Sequence, residues 1–236
     1  MLPFSKYHGA GNDFILIDGT FDTNLIPRLC DRRFGIGADG VLGIEKDLRV
    51  RIFNADGSEP PFCGNGIRCA FDYLSRRTGC SELRLTMGGR SFLCRRKEDA
   101  VAVHLGAPKI LHWHAEAYAV DTGVPHALLF VEELESIDVA EQGRRVRTAT
   151  GFNATFVQVD AKGQVAVRTY ERGVEAETLA CGSGAAAAAW AARRLYALED
   201  RIEVKTRGSS LLFSFTGDAI EMVGPAVFVF SGSCVF

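Results

Sequence analysis

The sequence predicts an α+β fold of two similar lobes, each a mainly antiparallel sheet wrapped around one helix. Many short runs alternate apolar and polar residues, as half-buried strands do, whereas only two segments look like substantial helices, near residues 66–77 and 184–198. Each of these helices follows a Cys-Gly-x-Gly motif, which starts at Cys63 and again at Cys181. The motifs lie 118 residues apart, half of the 236-residue chain, which indicates an internal duplication.

Local composition supports these elements. The second helix is rich in alanine, the strongest helix former, and carries Arg193 and Arg194 toward its C-terminal end, where cations suit the helix dipole. Turn sequences such as DGS, MGGR, AKG and TGD separate the strand-like runs. Residues 107–118 contain Pro108 and lack a clear period, so we expect an N-terminal lobe at 1–112 and a C-terminal lobe at 113–224.

Composition and charge exclude several classes of protein. Apolar residues make up 47% and charged residues 24%, and the formal net charge is −2. These values argue against a disordered chain, and no basic surplus is available to neutralise nucleic-acid phosphates. No apolar run is long enough to span a bilayer, and the N-terminus lacks the pattern of a signal peptide. We therefore expect a cytoplasmic protein with no nucleic-acid or membrane partner.

The seven cysteines predict neither a disulfide framework nor a metal site. Their number is odd, no two form a CxxC pair, and the five histidines do not fall at zinc-ligand spacing beside a cysteine cluster. Free cysteine commonly packs as a small buried hydrophobe. That interpretation suits five of the seven: Cys30, Cys69, Cys80, Cys94 and Cys234.

The two Cys-Gly-x-Gly motifs contain the residues that indicate a chemical function. A thiol at a helix N-terminus meets the positive end of the helix dipole and unpaired N–H groups, which favour the thiolate. The same N–H groups can hold a carboxylate. Two such thiols on opposite sides of a cleft between lobes could remove a proton from one face of a carbon and deliver a proton to the other. The matched pair thus indicates racemisation or epimerisation.

Other motifs are weaker when taken singly. GIGADG at 35–40 matches a dinucleotide fingerprint, but it follows a charged segment and leads into a strand, so we interpret it as tight turns. HGAGNDF places Asn12 beside two glycines, where it could reach a ligand. FNADGS at 53–58 is typical of a hairpin turn. His126 follows a proline turn, and the ERG at 171–173 has the composition of a solvated charge pair.

Together these residues resemble the diaminopimelate epimerases, pyridoxal-phosphate-independent isomerases of lysine and peptidoglycan precursor synthesis. The resemblance covers essentially the whole chain. It is carried by the motifs HGAGNDF, RRFGIGADG, RIFNADGS, CGNGIRC, the PH of GVPHA, FNATFVQV, YERG, ETLACGSGAAAAA and GPAVFVFSG.

The resemblance implies a fold, a reaction and a set of site residues. Each lobe is expected to be a curled sheet around a central helix, with the strand at 225–236 crossing back to the first lobe. The expected reaction interconverts LL- and meso-diaminopimelate without cofactor or metal, with Cys63 and Cys181 as the acid/base pair and His126 and Glu171 beside them. The implied substrate contacts are Asn12, Asn54, Asn153 and Arg172, with backbone cradles at Gly64-Asn65 and Gly182-Ser183.

Three departures from the family pattern bear on specificity. Val124 stands where the family commonly has an asparagine, Glu175-Ala176 replace one glycine, and Gly40 stands where many members have glutamine. When a site is built around polar contacts with its substrate, the loss of those contacts weakens its discrimination between substrates. A broader amino-acid racemase that also acts on glutamate is therefore an alternative.

Three further alternatives remain at this point. A proline or hydroxyproline type racemase would share the two cysteines, but it would have no use for Arg172 and Asn153 at a distal carboxylate. A non-enzymatic relative would bind an amino acid or a protein without exchanging an α-proton. A thiol redox enzyme would need Cys63 and Cys181 to pair. A homodimer is a further expectation.

Overall fold

The structure is a computed structural model that describes residues 1–114 and 117–235, and it divides into two compact units. The first unit comprises residues 1–103 together with the final strand, from Pro225 onward. The second unit comprises His104–Gly224. Residues 104–112 therefore lie with the second unit.

The described chain contains seventeen strands and four α-helices. The strands are β1 (Leu2–Gly9), β2 (Asn12–Asp18), β3 (Gly40–Ile44), β4 (Val50–Asn54), β5 (Glu82–Met87), β6 (Arg90–Lys97), β7 (Ala100–Gly106), β8 (Lys109–His114), β9 (Ala117–Asp121), β10 (Pro125–Phe130), β11 (Asn153–Val159), β12 (Val165–Glu171), β13 (Ala176–Thr178), β14 (Arg201–Lys205), β15 (Ser210–Thr216), β16 (Ala219–Pro225) and β17 (Val227–Cys234). The helices are α1 (Ile26–Cys30), α2 (Gly64–Thr78), α3 (Val139–Thr150) and α4 (Gly182–Leu195).

The sheets of both units are mainly antiparallel. In the first unit a five-stranded sheet runs in the order β17, β1, β2, β3, β4, and β5, β6 and β7 are successive neighbours. In the second unit the order is β16, β15, β14, β12, β11, β10, β9, β8, with β13 added to β12. Parallel pairs join β2 to β3, β10 to β11 and β12 to β14.

One buried helix lies at the centre of each unit. Helix α2 contacts β1, β2, β3 and β4 as well as β5, β6 and β17. Helix α4 contacts β9, β10, β11, β12, β14 and β15, and every residue from Gly182 to Ala192 is buried. The alanine run explains this burial, because alanine adds little width to a helix that strands must surround. The expected pair of α+β lobes, each with one central helix, is confirmed.

The sequence predicts only two substantial helices, whereas the structure contains a third, the twelve-residue α3. Only Val139 and Gly143 of this helix are buried, so it has no clear apolar stripe to reveal its period. Its start is nevertheless marked, because the Asp138 carboxylate accepts a hydrogen bond from the Glu141 N–H at 3.0 Å. The sequence does not predict β8 or β9 either, since β8 and the start of β9 fall within residues 107–118, which lack a clear period.

Among the described residues, no helix combines the length and the apolar character needed to cross a membrane.

Gly143 lets α3 pack closely on the second unit's sheet. A Cβ at this position would stand 2.4 Å from the Cβ of Tyr170 on β12. Gly143→Ala should therefore lower the free energy of unfolding by about 1–3 kcal/mol, because overpacking outweighs the better helix propensity of alanine. Urea unfolding measures the change.

The matched control is Arg144→Ala, which adds alanine at the neighbouring exposed position of α3 and should change stability by less than about 0.5 kcal/mol. A Gly143→Ala protein as stable as the parent would show that the helix does not approach Tyr170 this closely.

Candidate active site

Cys63 is the residue from which α2 begins. It has extended backbone angles, φ −142° and ψ 112°, as an N-cap residue should. Its Sγ accepts a hydrogen bond from the Gly66 N–H at 3.3 Å, and its own N–H donates to the Met87 Sδ at 3.4 Å. The thiol is half-buried. The sulfur thus occupies the place of a helix-capping oxygen at the N-terminus of α2.

The first turn of α2 is held from within the unit. The Asn65 side chain is buried, and its Oδ1 accepts from Arg68 Nη2 at 2.7 Å. Arg68 Nη1 donates to the Gly64 carbonyl oxygen at 3.1 Å. Gly64 and Asn65, the expected cradle, therefore lie at the buried start of the helix beside Cys63.

Asn12 and Asn54 lie at strand ends of the first unit. Asn12 opens β2 across a tight hairpin whose two turn residues, Ala10 and Gly11, both have positive φ. Asn54 closes β4, and its Nδ2 donates to Ser58 Oγ at 2.9 Å. Both residues are half-buried.

An ionic cluster that the sequence motifs alone did not predict stabilises the Asn12 hairpin. The neighbouring Asp13 carboxylate accepts from Lys6 at 2.6 Å and from Arg32 at 2.8 Å, and Arg32 also reaches Asp39 at 2.8 Å. Burial favours the neutral acid, but the hydrogen bonds from Arg32 and Lys6 outweigh it and hold the pKa of Asp13 well below its ordinary value. The sequence feature that could have predicted this cluster is the presence of acidic and basic residues in the motifs HGAGNDF and RRFGIGADG.

Cys181 precedes α4 as Cys63 precedes α2. Its φ of −111° and ψ of 105° are again extended, and the thiol is buried. The Sγ lies 3.4 Å from Ser183 Oγ and 4.0 Å from His126 Nε2. Gly182 and Ser183 form the buried first turn of α4, and the Ser183 carbonyl oxygen accepts from Thr122 Oγ1 at 2.7 Å.

His126 lies behind this thiol in a fully buried hydroxyl network. Its Nε2 is 2.9 Å from Ser183 Oγ, and its Nδ1 is 2.9 Å from Thr155 Oγ1, which in turn lies 3.2 Å from Thr169 Oγ1. Burial, and secondarily the charge of Arg172, lower the pKa of His126 to about 3. The imidazole is therefore neutral near pH 7, with one ring nitrogen as donor and the other as acceptor. Thr155 and Thr169 carried no sequence signal beyond their place in strands.

Pairing of β11 with β10 and with β12 brings the remaining expected residues of the second unit together. Asn153 on β11 pairs in register with His126 on β10. The Asn153 side chain is buried, donates to the Pro125 carbonyl oxygen at 3.0 Å and accepts from the Arg172 N–H at 2.7 Å. Glu171 ends β12 and accepts from Thr178 Oγ1 at 2.9 Å, while the Arg172 side chain is exposed.

The three departures have structural counterparts. Val124 is buried just before β10. A Cβ at Gly40 would stand 2.3 Å from the Phe53 carbonyl oxygen, so the sheet leaves no room there for a side chain. Glu175 has a φ of +54° and accepts from Arg147 of α3 at 3.3 Å, which ties the loop after β12 to that helix.

The other cysteines differ from the helix-starting pair. Burial raises the pKa of the Cys30 thiol to about 11 and that of Cys94 to about 12, and Cys69 is fully buried, so these three are inert core residues. Cys80 is exposed, which corrects the expectation that it packs as a hydrophobe. In the described part of the chain, no three His, Cys, Asp or Glu side chains gather as a metal site would require.

Solved structures share this two-unit architecture. A predicted epimerase from Pseudomonas aeruginosa matches with a TM-score of 0.77 at 17% identity, and each chain is covered completely. A hydroxyproline epimerase from Agrobacterium vitis with bound trans-4-hydroxy-L-proline matches with a TM-score of 0.74 at 13% identity, covering 98% of this chain and 90% of that one. At these identities the likeness establishes the class of fold, that of the epimerase-like α+β proteins.

Sequence comparison defines the family within that class. The family model for diaminopimelate epimerase matches residues 4–111 and 118–229. Diaminopimelate epimerases from Methanocella arvoryzae and Archaeoglobus fulgidus are 39% and 38% identical to this chain; the alignments cover 98% of the chain and 96% and 95% of those relatives. The chain belongs to the diaminopimelate epimerase family.

The neutral state of His126 is open to direct measurement. Because the folded imidazole takes up its proton only near pH 3, its NMR ring resonances should stay constant between pH 8 and pH 5, and a His126→Gln spectrum assigns them. The unfolded chain binds this proton near pH 6.5. Protonation therefore favours unfolding, and the His126 contribution lowers stability as pH falls from about 6.5 toward 3. A folded-state midpoint between pH 6 and 7 would contradict the buried placement.

Proposed function

We propose that this chain epimerises LL-2,6-diaminopimelate to meso-diaminopimelate with Cys63 and Cys181 as its two acid/base groups. The observation that carries the proposal is the repeated arrangement at the helix starts, where each unit places a thiol directly before a buried helix. Membership of the family supports the substrate, since its relatives bear the name diaminopimelate epimerase.

The proton transfer needs no cofactor in this proposal. One cysteine, as thiolate, takes the proton from the α-carbon and becomes a thiol. The other, as thiol, gives its proton to the opposite face of the same carbon and becomes a thiolate, so protons and charge balance. Negative charge develops meanwhile on the substrate carboxylate. Backbone N–H groups at Gly64-Asn65 and Gly182-Ser183 are placed at helix starts, where such charge is stabilised.

The neutral His126 serves Cys181 through Ser183. The serine hydroxyl lies 3.4 Å from the thiol sulfur and 2.9 Å from the imidazole Nε2, so it can stabilise the thiolate while the imidazole orients it. Glu171, at the end of β12, is assigned to the same tuning role. An imidazole that stays neutral cannot neutralise the thiolate with its own charge, which leaves the sulfur as the base.

The polar residues at strand ends bind the rest of the amino acid. Asn12 and Asn54 serve from the first unit and Asn153 from the second. The exposed Arg172 guanidinium supplies a positive charge for the distal carboxylate, and the Asn153 amide fixes the Arg172 backbone at 2.7 Å. The partner is a small amino-acid substrate, and we place the enzyme in the cytoplasm.

A broader substrate range is the second candidate function, and Val124 and Gly40 favour it. Val124 is buried and offers no side-chain hydrogen bond, and the close approach of the Phe53 carbonyl leaves no space for a polar side chain at Gly40. These contacts are already missing for diaminopimelate. A shorter dicarboxylic amino acid such as glutamate would therefore bind little less well than diaminopimelate does.

Chiral chromatography of LL-diaminopimelate after incubation with the pure protein tests the two-cysteine proposal. Cys63→Ala and Cys181→Ala should each reduce net epimerisation by about 10²–10⁴-fold, since each removes one of the two proton carriers. Cys80→Ala, a change of an exposed cysteine, is the control and should leave the rate unaltered.

Wild-type activity in either Cys63→Ala or Cys181→Ala would contradict the two-base proposal. A panel of single L-amino acids, glutamate included, decides the substrate range in the same assay. Unchanged chirality in every one of them would restrict the enzyme to diaminopimelate.

We also propose that the enzyme is a homodimer that pairs through β17. This strand forms one edge of the five-stranded sheet, and Val227, Phe228, Val229 and Phe230 are 41–51% exposed on it. No charged residue or proline interrupts VFVFSGSC, so the edge lacks the usual protection against pairing. Antiparallel pairing with the same strand of a second copy satisfies two-fold symmetry.

Light scattering coupled to size-exclusion chromatography measures this association. The parent should elute with the mass of a dimer, and Val229→Glu should elute as a monomer because a buried charge opposes pairing. Ile110→Glu places the same charge at a similarly exposed residue of β8 and should remain dimeric. A monomeric parent at about 100 μM, a concentration well above the Kd of specific dimers, would reject the interface.

A further inference from the structure

Arg68 is a fully buried cation within the central helix of the first unit. It lies five residues after Cys63, slightly more than one turn into α2. Side chains on a helix lean toward its N-terminus, so the guanidinium points back toward the first turn. Burying a charge is costly unless hydrogen bonds compensate it.

The contacts of Arg68 converge on the segment that the proposed mechanism uses. Nη2 donates to Asn65 Oδ1 at 2.7 Å, Nη1 to the Gly64 carbonyl oxygen at 3.1 Å, and Nε to the Pro225 carbonyl oxygen at 3.1 Å. A Cβ at Gly9, the last residue of β1, would stand 3.3 Å from Nη2. One planar group therefore links the first turn of α2 to the end of β1 and to the chain entering β17.

Arg68 also interacts with Cys63 through its charge. Burial lowers the pKa of the Arg68 guanidinium, while a thiolate at Cys63 acts in the opposite direction and raises it. Cys69, the next residue of the helix, stays a neutral thiol because burial raises its pKa. Interaction between two charges is mutual, so the Arg68 cation favours the thiolate form of Cys63 to the same extent. Low local dielectric strengthens this interaction relative to one at the surface.

We propose that Arg68 is a positioning residue for Cys63: it fixes the backbone cradle at Gly64-Asn65 and favours the thiolate that accepts the substrate proton. The effect on catalysis rests on the function proposed above, whereas the effect on the thiol does not. Asp72, the buried acid of α2, is engaged by Arg76 at 2.6 Å and by Arg96 at 2.5 Å, so Arg76 offers a matched arginine on the same helix.

The test measures the rate at which iodoacetamide alkylates Cys63 as a function of pH, with peptide mass spectrometry to separate it from the other cysteines. In the parent, the midpoint of the alkylation rate of Cys63 should lie below the ordinary thiol value of about pH 8.5.

Arg68→Met keeps the apolar stem of the side chain and removes its charge. This variant should raise the midpoint of the alkylation rate by at least one pH unit and slow alkylation about tenfold near pH 7. Arg68→Lys should keep the low midpoint but raise KM, because lysine cannot hold three acceptors in one plane. Arg76→Met should behave as the parent.

Three results would overturn the proposal. The first is a parent midpoint at or above 8.5, which needs no variant to fold. The second is a folded Arg68→Met with the parent midpoint, whatever its activity. The third is a folded Arg68→Lys whose Cys63 alkylation midpoint lies at about 8.5, the ordinary thiol value. This result decides the question even if circular dichroism shows that Arg68→Met does not fold. Because alkylation requires no substrate, an inactive parent with the expected midpoints would reject the proposed reaction and leave the role of Arg68 intact.

Discussion

Both units depend on how a buried helix begins. The first N–H groups of a helix have no partners within it, and in a protein interior they must find acceptors. In the first unit Cys63 Sγ accepts one of them, from Gly66, and so holds a place usually taken by a serine or aspartate oxygen. Backbone hydrogen bonding therefore helps to fix the position of the sulfur. Cys181 also directly precedes its helix, α4, although its Sγ makes no capping hydrogen bond, so the molecule has a thiol at the start of each central helix.

The duplication is not symmetric in its surroundings. Cys63 shares its helix with a buried cation, Arg68, whereas Cys181 is backed by a neutral imidazole and a chain of hydroxyl groups that ends at Thr169. A cation favours thiolate by charge, while a hydroxyl does so by hydrogen bonding. In a two-base reaction one group must begin as thiolate and the other as thiol, and different surroundings supply a physical means of setting that difference.

The sequence predicted the features that depend on local chemistry. Strand alternation, the alanine-rich helix and the paired motifs at Cys63 and Cys181 led to the right fold class, because each leaves a short-range signature. Helix α3 was marked at its start by the capping residue Asp138, but it lacks the run of buried apolar residues that indicates a central helix, since only Val139 and Gly143 of it are buried. The roles of Arg68 and Thr155 were invisible for another reason. The burial of Arg68 and the hydrogen bond of Thr155 to His126 depend on residues far apart in the chain, such as Pro225, which is 157 residues from Arg68, and one sequence does not disclose such proximity.

The most direct test of the central claim follows the α-hydrogen in D2O. LL-diaminopimelate is incubated with the enzyme for less than a tenth of the time to equilibrium, and deuterium is then measured at the α-carbons of product and recovered substrate. With two bases, every early product molecule should carry one solvent deuterium at the inverted carbon, while the recovered substrate stays almost unlabelled, since proton removal and proton delivery use different sulfurs. Product that retains the original hydrogen would show that a single base performs both transfers and would contradict the account.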